Sequence, residues 1–183
     1  MLPLTRILLP LCAVSFAYLA SYFLVNILPS WTTWGGDASS VTSASLCFFP
    51  HGVRVLCAWL FGFWSILFLA PATYVMQIYR FGLDGITYAT LIAPLFGVTC
   101  AAAAFDFSRR LGFDVQLRDG YVTNWRNVVI VGALASTINS IGTNIAYSNT
   151  AHTFLAFWVG DVIGLIASML ILMAAFRIYR KTA

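Results

Sequence analysis

The sequence predicts an all-α fold, a polytopic membrane bundle of about six transmembrane helices with one helix broken near Pro50-His51-Gly52. Three observations carry this expectation. Hydrophobic residues make up 61% of the 183 and charged residues 9%, and the mean hydropathy is +0.87, far from the roughly half apolar and one-quarter charged balance of a soluble domain. Four apolar runs each come close to the ~20 residues that cross ~30 Å of hydrocarbon. The cationic residues collect on one side when the chain is threaded through six spans.

The first span covers 7–28. Arg6 ahead of an apolar run resembles a secretion signal, but the run is about 22 residues long, and Tyr18-Leu19-Ala20 lacks the small residue wanted two places before a cleavage site. It reads as a retained helix. The connection over 29–44 is rich in Ser, Thr and Gly and carries Trp31, Trp34 and Asp37, a composition for an outer, surface-lying loop with aromatic anchors. The stretch 45–79 is long enough for one overlong helix or two short ones, 45–61 and 63–79, parted near Gly62-Phe63-Trp64. Charge favours two. The N-terminus, the loop before the fifth span and the C-terminus then share the cytoplasmic side with Arg6, Arg109, Arg110, Arg118, Arg126, Arg177, Arg180 and Lys181, and the opposite side keeps Arg80. The remaining spans are 86–107, 127–146 and 154–176. All six form a single transmembrane domain over 1–183, without low-complexity tracts or a convincing repeat.

Several function classes fall away. The net charge of +4 comes from residues at span ends, and no basic run interleaved with aromatics points to nucleic acid. Cys12, Cys47, Cys57 and Cys100 lie in apolar stretches without metal or redox spacing. No nucleophile elbow or metalloprotease motif is present, and neither His51 nor His152 has an acidic neighbour in sequence. No catalytic residue, metal or cofactor is expected, and the chain is not read as an enzyme.

An ionisable side chain inside a span costs ~2.5–3.5 kcal/mol on insertion scales, so each one needs a partner. Arg54 stands nine residues into the second span and Asp161 seven into the sixth, about 13 Å and about 10 Å from the outer side at helical rise. Equal depth and opposite charge predict an ion pair between them, with His51 on the same helical face as Arg54. Ser136, Thr137, Asn139, Ser140, Thr143 and Asn144 place a polar stripe on the outer half of the fifth span at that depth. Two readings stand side by side. One is a structural salt bridge beside a kink, with interhelical hydrogen bonds as glue; the other is a pocket lined by His51, Arg54, Asn139, Thr143, Asn144 and Asp161. Gly160 and Gly164 give a small-residue spacing for close packing inside the bundle. Asp106 reads as a helix-end charge balanced by Arg109 and Arg110.

The element Phe157-Trp158-Val159-Gly160-Asp161-Val162-Ile163-Gly164, followed by an aliphatic run and a basic end, is similar to the terminal helix of MASE1-type bacterial integral membrane sensor domains. Phe49-Pro50-His51-Gly52-Val53 resembles that family's Trp-Pro-Pro-Ala-Gly element, and Leu117-Arg118-Asp119 its Leu-Arg-Asp entry. The likeness runs over residues 45–180. It departs at His51, and the family's usual cytoplasmic output domain does not follow here, so the resemblance implies a stand-alone sensor of the bacterial inner membrane, signalling through a separate membrane or cytoplasmic partner. Two other functions fit the same residues. One is a small-solute transporter or substrate-capture subunit, with Ala101 to Ala104 and Gly160/Gly164 as a docking face. The other is a structural subunit of a membrane complex.

Overall fold

A computed structural model describes residues 5–27, 33–34, 44–117, 124–148 and 151–182. Among them are six helices: α1 (Thr5–Ile27), α2 (Phe49–Phe61), α3 (Trp64–Phe81), α4 (Tyr88–Arg110), α5 (Trp125–Tyr147) and α6 (Ala151–Thr182). A two-residue antiparallel pairing, β1 (Thr33–Trp34) with β2 (Ala44–Ser45), is the one strand pairing among the described residues. Trp31, Asp37, Arg118 and Asp119, which figured in the expected outer loop and the Leu-Arg-Asp motif, lie outside the described residues, as does the side chain of His152.

Four helices are long and apolar enough to cross a membrane: Ile7–Ile27, Tyr88–Arg110, Trp125–Tyr147 and Thr153–Lys181. They mark the chain as a membrane protein. Leu9, Phe16, Ile27 and Tyr88 are each 74% or more exposed, an outward apolar surface that only lipid or another protein can cover. Pro10, Pro71 and Pro94 sit inside helices, which membrane bundles tolerate because neighbouring groups satisfy the freed carbonyls.

The stretch 45–79 forms two helices joined at Gly62-Phe63. Gly62 has φ +58, and its N–H bonds the Ala58 carbonyl at 2.8 Å, a left-handed stop that favours glycine. The expected break near Pro50-Gly52 is corrected: Pro50 occupies the first turn of α2, where its missing N–H has no helical partner to lose. Residues 50–52 therefore start a helix and do not interrupt one. Thr87 and Thr90 form a reciprocal capping box at the start of α4, with Thr90 N bonded to Thr87 Oγ1 at 3.3 Å and Thr87 N to Thr90 Oγ1 at 2.7 Å.

Neighbouring contacts give the helix directions. Ser15 Oγ bonds the Phe68 carbonyl at 3.4 Å and Phe23 packs on Tyr79, so α1 and α3 run together. Tyr18 meets Arg54 and Tyr22 meets Phe48, so α2 runs opposite to both. The α5/α6 pair is antiparallel, with Ser136 beside Asp161 and Gly132 beside Leu165. Phe48 lies against Gly164 and Gly52 against Ser168, which makes α2 and α6 parallel.

The short helix α2 touches each of the other five and divides the core. On one side Val55 and Ala58 join Cys100, Ala104, Val128, Val131, Ala135 and Leu165. On the other Cys57 joins Val14, Tyr18, Phe68, Leu69, Ala72 and Val98. At 13 residues it is about 20 Å long, short of the ~30 Å hydrocarbon thickness. Its N-terminus is thus set inside the bundle, and the non-helical residues Ser45 to Phe48 lead down to it along α6. A Cβ at Gly160 would collide with the Ser45 carbonyl, and one at Gly164 with the Phe48 backbone. The Phe48 N–H donates to the Gly160 carbonyl at 3.0 Å. Irregular backbone at this depth is tolerated where protein buries it, and these two glycines give it the room.

Candidate functional site

The start of α2, the middle of α5 and the N-terminal half of α6 converge on Asp161, which is 2% exposed. Its Oδ2 accepts from Asn139 Nδ2 at 2.8 Å and from Ser136 Oγ at 3.4 Å. His51, fully buried, puts Nδ1 3.3 Å from the same oxygen, off the line of a hydrogen bond, and Nε2 3.2 Å from the Gly132 carbonyl. The ring is therefore clamped between α5 and α6 while its backbone belongs to α2.

Local sequence explains each placement. His51 stands in the first turn of α2 because Pro50 starts that helix, and Asp161 follows Gly160, whose lack of a Cβ lets the entry segment approach α6. Ser136, Asn139 and Ser140 share the inward face of α5 at i, i+3, i+4 spacing, and all three are buried. Ser136 Oγ also donates to the Trp158 carbonyl at 3.1 Å, and Trp158 Nε1 donates to Thr137 Oγ1 at 3.0 Å. The fifth helix is thus bonded to α6 through Ser136, Thr137 and Asn139. A helix N-terminus carries about half a unit of positive charge, so the first turn of α2 adds favourable potential beside the Asp161 carboxylate.

Arg54 does not sit where the sequence reading put it. Among the described residues it makes no ion pair with Asp161; His51 takes that place, one turn nearer the start of α2. Arg54 turns to α1 and α4. Its Nη2 donates to the Tyr18 hydroxyl at 2.8 Å, and its guanidinium carbon lies 5.5 Å and 5.7 Å from the ring centroids of Tyr18 and Phe48, cation–π range. A Cβ at Gly97 would stand 2.9 Å from Nη2, so this glycine lets α4 close over the guanidinium. Arg54 Nε finds no acceptor. Asp161 is the one buried acid among the described residues, so it can balance this charge only through space and not by contact.

The outer members of the stripe stay apart from the cluster. Asn144 Nδ2 donates to the Ser140 carbonyl at 2.8 Å, leaving its Oδ1 and the Ser140 hydroxyl buried without partners. Thr143 is half-buried and, among the described residues, makes no bond to Asp161. Asp106 is held by Arg109 and by Arg110 Nε, the latter at 2.7 Å. No group of three or more His, Cys, Asp or Glu side chains converges among the described residues.

Two participants escaped sequence reasoning. Tyr18 carried a signal, since a tyrosine in mid-span must find a partner for its hydroxyl. The Gly132 carbonyl carried none, because a backbone acceptor is revealed only by the ring packed against it.

No family model, curated protein or solved structure matches this chain. The likeness to MASE1-type domains rests on its three short motifs, of which Leu117-Arg118-Asp119 falls largely outside the described residues.

Proposed function

We propose that this chain is a six-span protein of the bacterial inner membrane, both termini cytoplasmic, that recognises a small polar solute beside Asp161 and passes the signal to a separate protein partner. The observation that carries the reading is the set of buried side chains from three helices, His51, Asn139, Ser136 and Asp161, meeting where α2 begins inside the bundle. An ionisable cluster at such depth is expensive, and its usual use is to engage a ligand or ion. The unpartnered oxygens of Ser140 and Asn144 extend it toward the outer end of α5.

The reach of α2 supports the count of six crossings. Its helical part covers about 20 Å, and the four residues Ser45 to Phe48 add up to about 13 Å, which together match ~30 Å of hydrocarbon. Alternating helices then put Arg109, Arg110, Arg126, Arg177, Arg180 and Lys181 at one end, the cytoplasmic one by the positive-inside rule. In a cysteine-free background, Asp84→Cys is expected to react with an impermeant thiol reagent from outside. Phe63→Cys and Lys181→Cys are expected to react only after permeabilisation. Labelling of Phe63→Cys from outside would turn α2 and α3 into a re-entrant hairpin.

The recognition reading is tested by thermal unfolding of the purified protein against a panel of amino acids, polyols and carboxylates. A ligand at 100-fold its Kd stabilises the folded state by about 2.7 kcal/mol. The expected result is a hit whose stabilisation is lost in Asp161→Asn, read as the ligand-induced shift from that variant's own ligand-free midpoint. Equal stabilisation in the variant would remove Asp161 from recognition. A second reading, a solute carrier or capture subunit, draws on the half-length α2: helices that begin within the membrane are used by transporters to coordinate cargo. Uptake of the hit into proteoliposomes separates the two.

A further inference from the structure

Counting donors and acceptors around His51 leaves one proton to place. Nε2 faces the Gly132 carbonyl at 3.2 Å and Nδ1 faces the Asp161 carboxylate at 3.3 Å, and both facing groups are acceptors. A neutral imidazole has one N–H and one lone pair. Opposite an ionised Asp161 it must therefore turn a lone pair onto an acceptor in either tautomer, at a site from which water is excluded and where an unmet polar group is costly. One additional proton, giving an imidazolium or a carboxylic acid, removes the conflict. Nδ1 is the ring nitrogen without an aligned partner, and Oδ2 lies 3.3 Å from it, so that proton resides on one or the other of these two atoms.

We propose that His51 and Asp161 form a proton-binding site inside the bundle, holding one exchangeable proton between Nδ1 and Oδ2. The surrounding charges permit both loading and release. With the proton the pair is neutral as a unit and Arg54, one turn along α2, is the net charge left; without it the pair's one negative charge is offset by Arg54. A buried carboxylate–imidazole pair lacking such a cation would be trapped in its protonated form by the cost of an uncompensated charge. Of the other titratable groups on the elements around the pair, those turned into the bundle are Tyr18 on α1, Cys57 on α2 and Cys100 on α4, all buried, with Cys47 on the entry segment half-buried. The helix α3 faces α2 with Phe68, Leu69 and Ala72, and α5 meets the pair with Ser136 and Asn139, none of which titrates. Taken with the recognition reading above, on which this consequence rests, a solute that donates to Oδ2 competes with the proton, and binding becomes proton-linked.

The chain has two histidines, so a His152→Gln variant isolates His51 in a nitrogen-15 spectrum of the full-length protein in lipid. The expected result between about pH 5 and about pH 8 is a ring with both nitrogens protonated, or a protonated-carboxyl infrared band that disappears in Asp161→Asn. A ring with a single N–H beside an ionised Asp161 throughout that range would overturn the proposal. So would a doubly protonated ring that persists unchanged in Asp161→Asn, because the proton would not then belong to the pair. If Asp161→Asn fails to fold, the spectrum of the His152→Gln protein still decides. None of these measurements uses a solute, so the proton site and solute recognition fail independently.

Discussion

Replacing Asp161 by leucine is expected to lower the unfolding free energy by about 3–5 kcal/mol in mixed micelles, the cost of removing one partner from a buried charged assembly. Two effects compete in setting this figure. If the cluster were held by neutral interhelical hydrogen bonds alone, losing the Asn139 and Ser136 contacts would cost about 0.6 kcal/mol each. The larger number is expected because Asp161 also balances Arg54, a residue 7% exposed that has no acid in contact among the described residues. The leucine strands that cation. Adding Arg54→Met to Asp161→Leu is accordingly expected to recover part of the loss, since removing both charges together can be close to neutral. A loss near 1 kcal/mol with no recovery would reduce the cluster to hydrogen-bonding glue and favour a structural role for the protein.

The second large effect is expected at Gly164. A Cβ there meets the nitrogen, carbonyl carbon and oxygen of Phe48, all backbone, so no side chain can swing aside. Gly164→Val is expected to destabilise by about 3 kcal/mol, at the upper end for overpacking, and to displace the start of α2 from α6. Because His51 is three residues beyond Phe48, the displacement also withdraws the ring from Asp161. Ile163→Val, a half-exposed neighbour on the same helix (43% exposed), is expected to change stability by less than about 0.5 kcal/mol. Comparable midpoints for the two variants would mean that α6 and the entry segment are not in contact.

Much of the helical order was legible because membrane helices are written in composition and length. The runs over 86–107 and 127–146 became α4 and α5 within a few residues, and the division at Gly62-Phe63 was visible as a glycine inside an overlong apolar run. The misreading at Pro50 has a simple cause: proline breaks a helix interior but starts a helix equally well, and sequence alone did not say where α2 began. Span depth was the other weak point. Counting Arg54 from residue 45 assumed helix throughout, whereas the first four residues are irregular, which moves His51 to the level of Asp161 and leaves Arg54 a turn beyond it. The stripe on α5 was legible as periodicity. Which of its members reach Asp161 depended on how α5 and α6 cross, and that follows from packing of Gly132 against Leu165 that no single-helix pattern encodes.

Solute recognition and the proton site both depend on His51 and Asp161 being in contact across α2 and α6. A double-mutant cycle tests it most directly: unfolding free energies of the wild type, His51→Leu, Asp161→Leu and the double variant. The expected coupling is about 1–3 kcal/mol, the range for residues that touch within one network. Additivity within about 0.3–0.5 kcal/mol would contradict the contact.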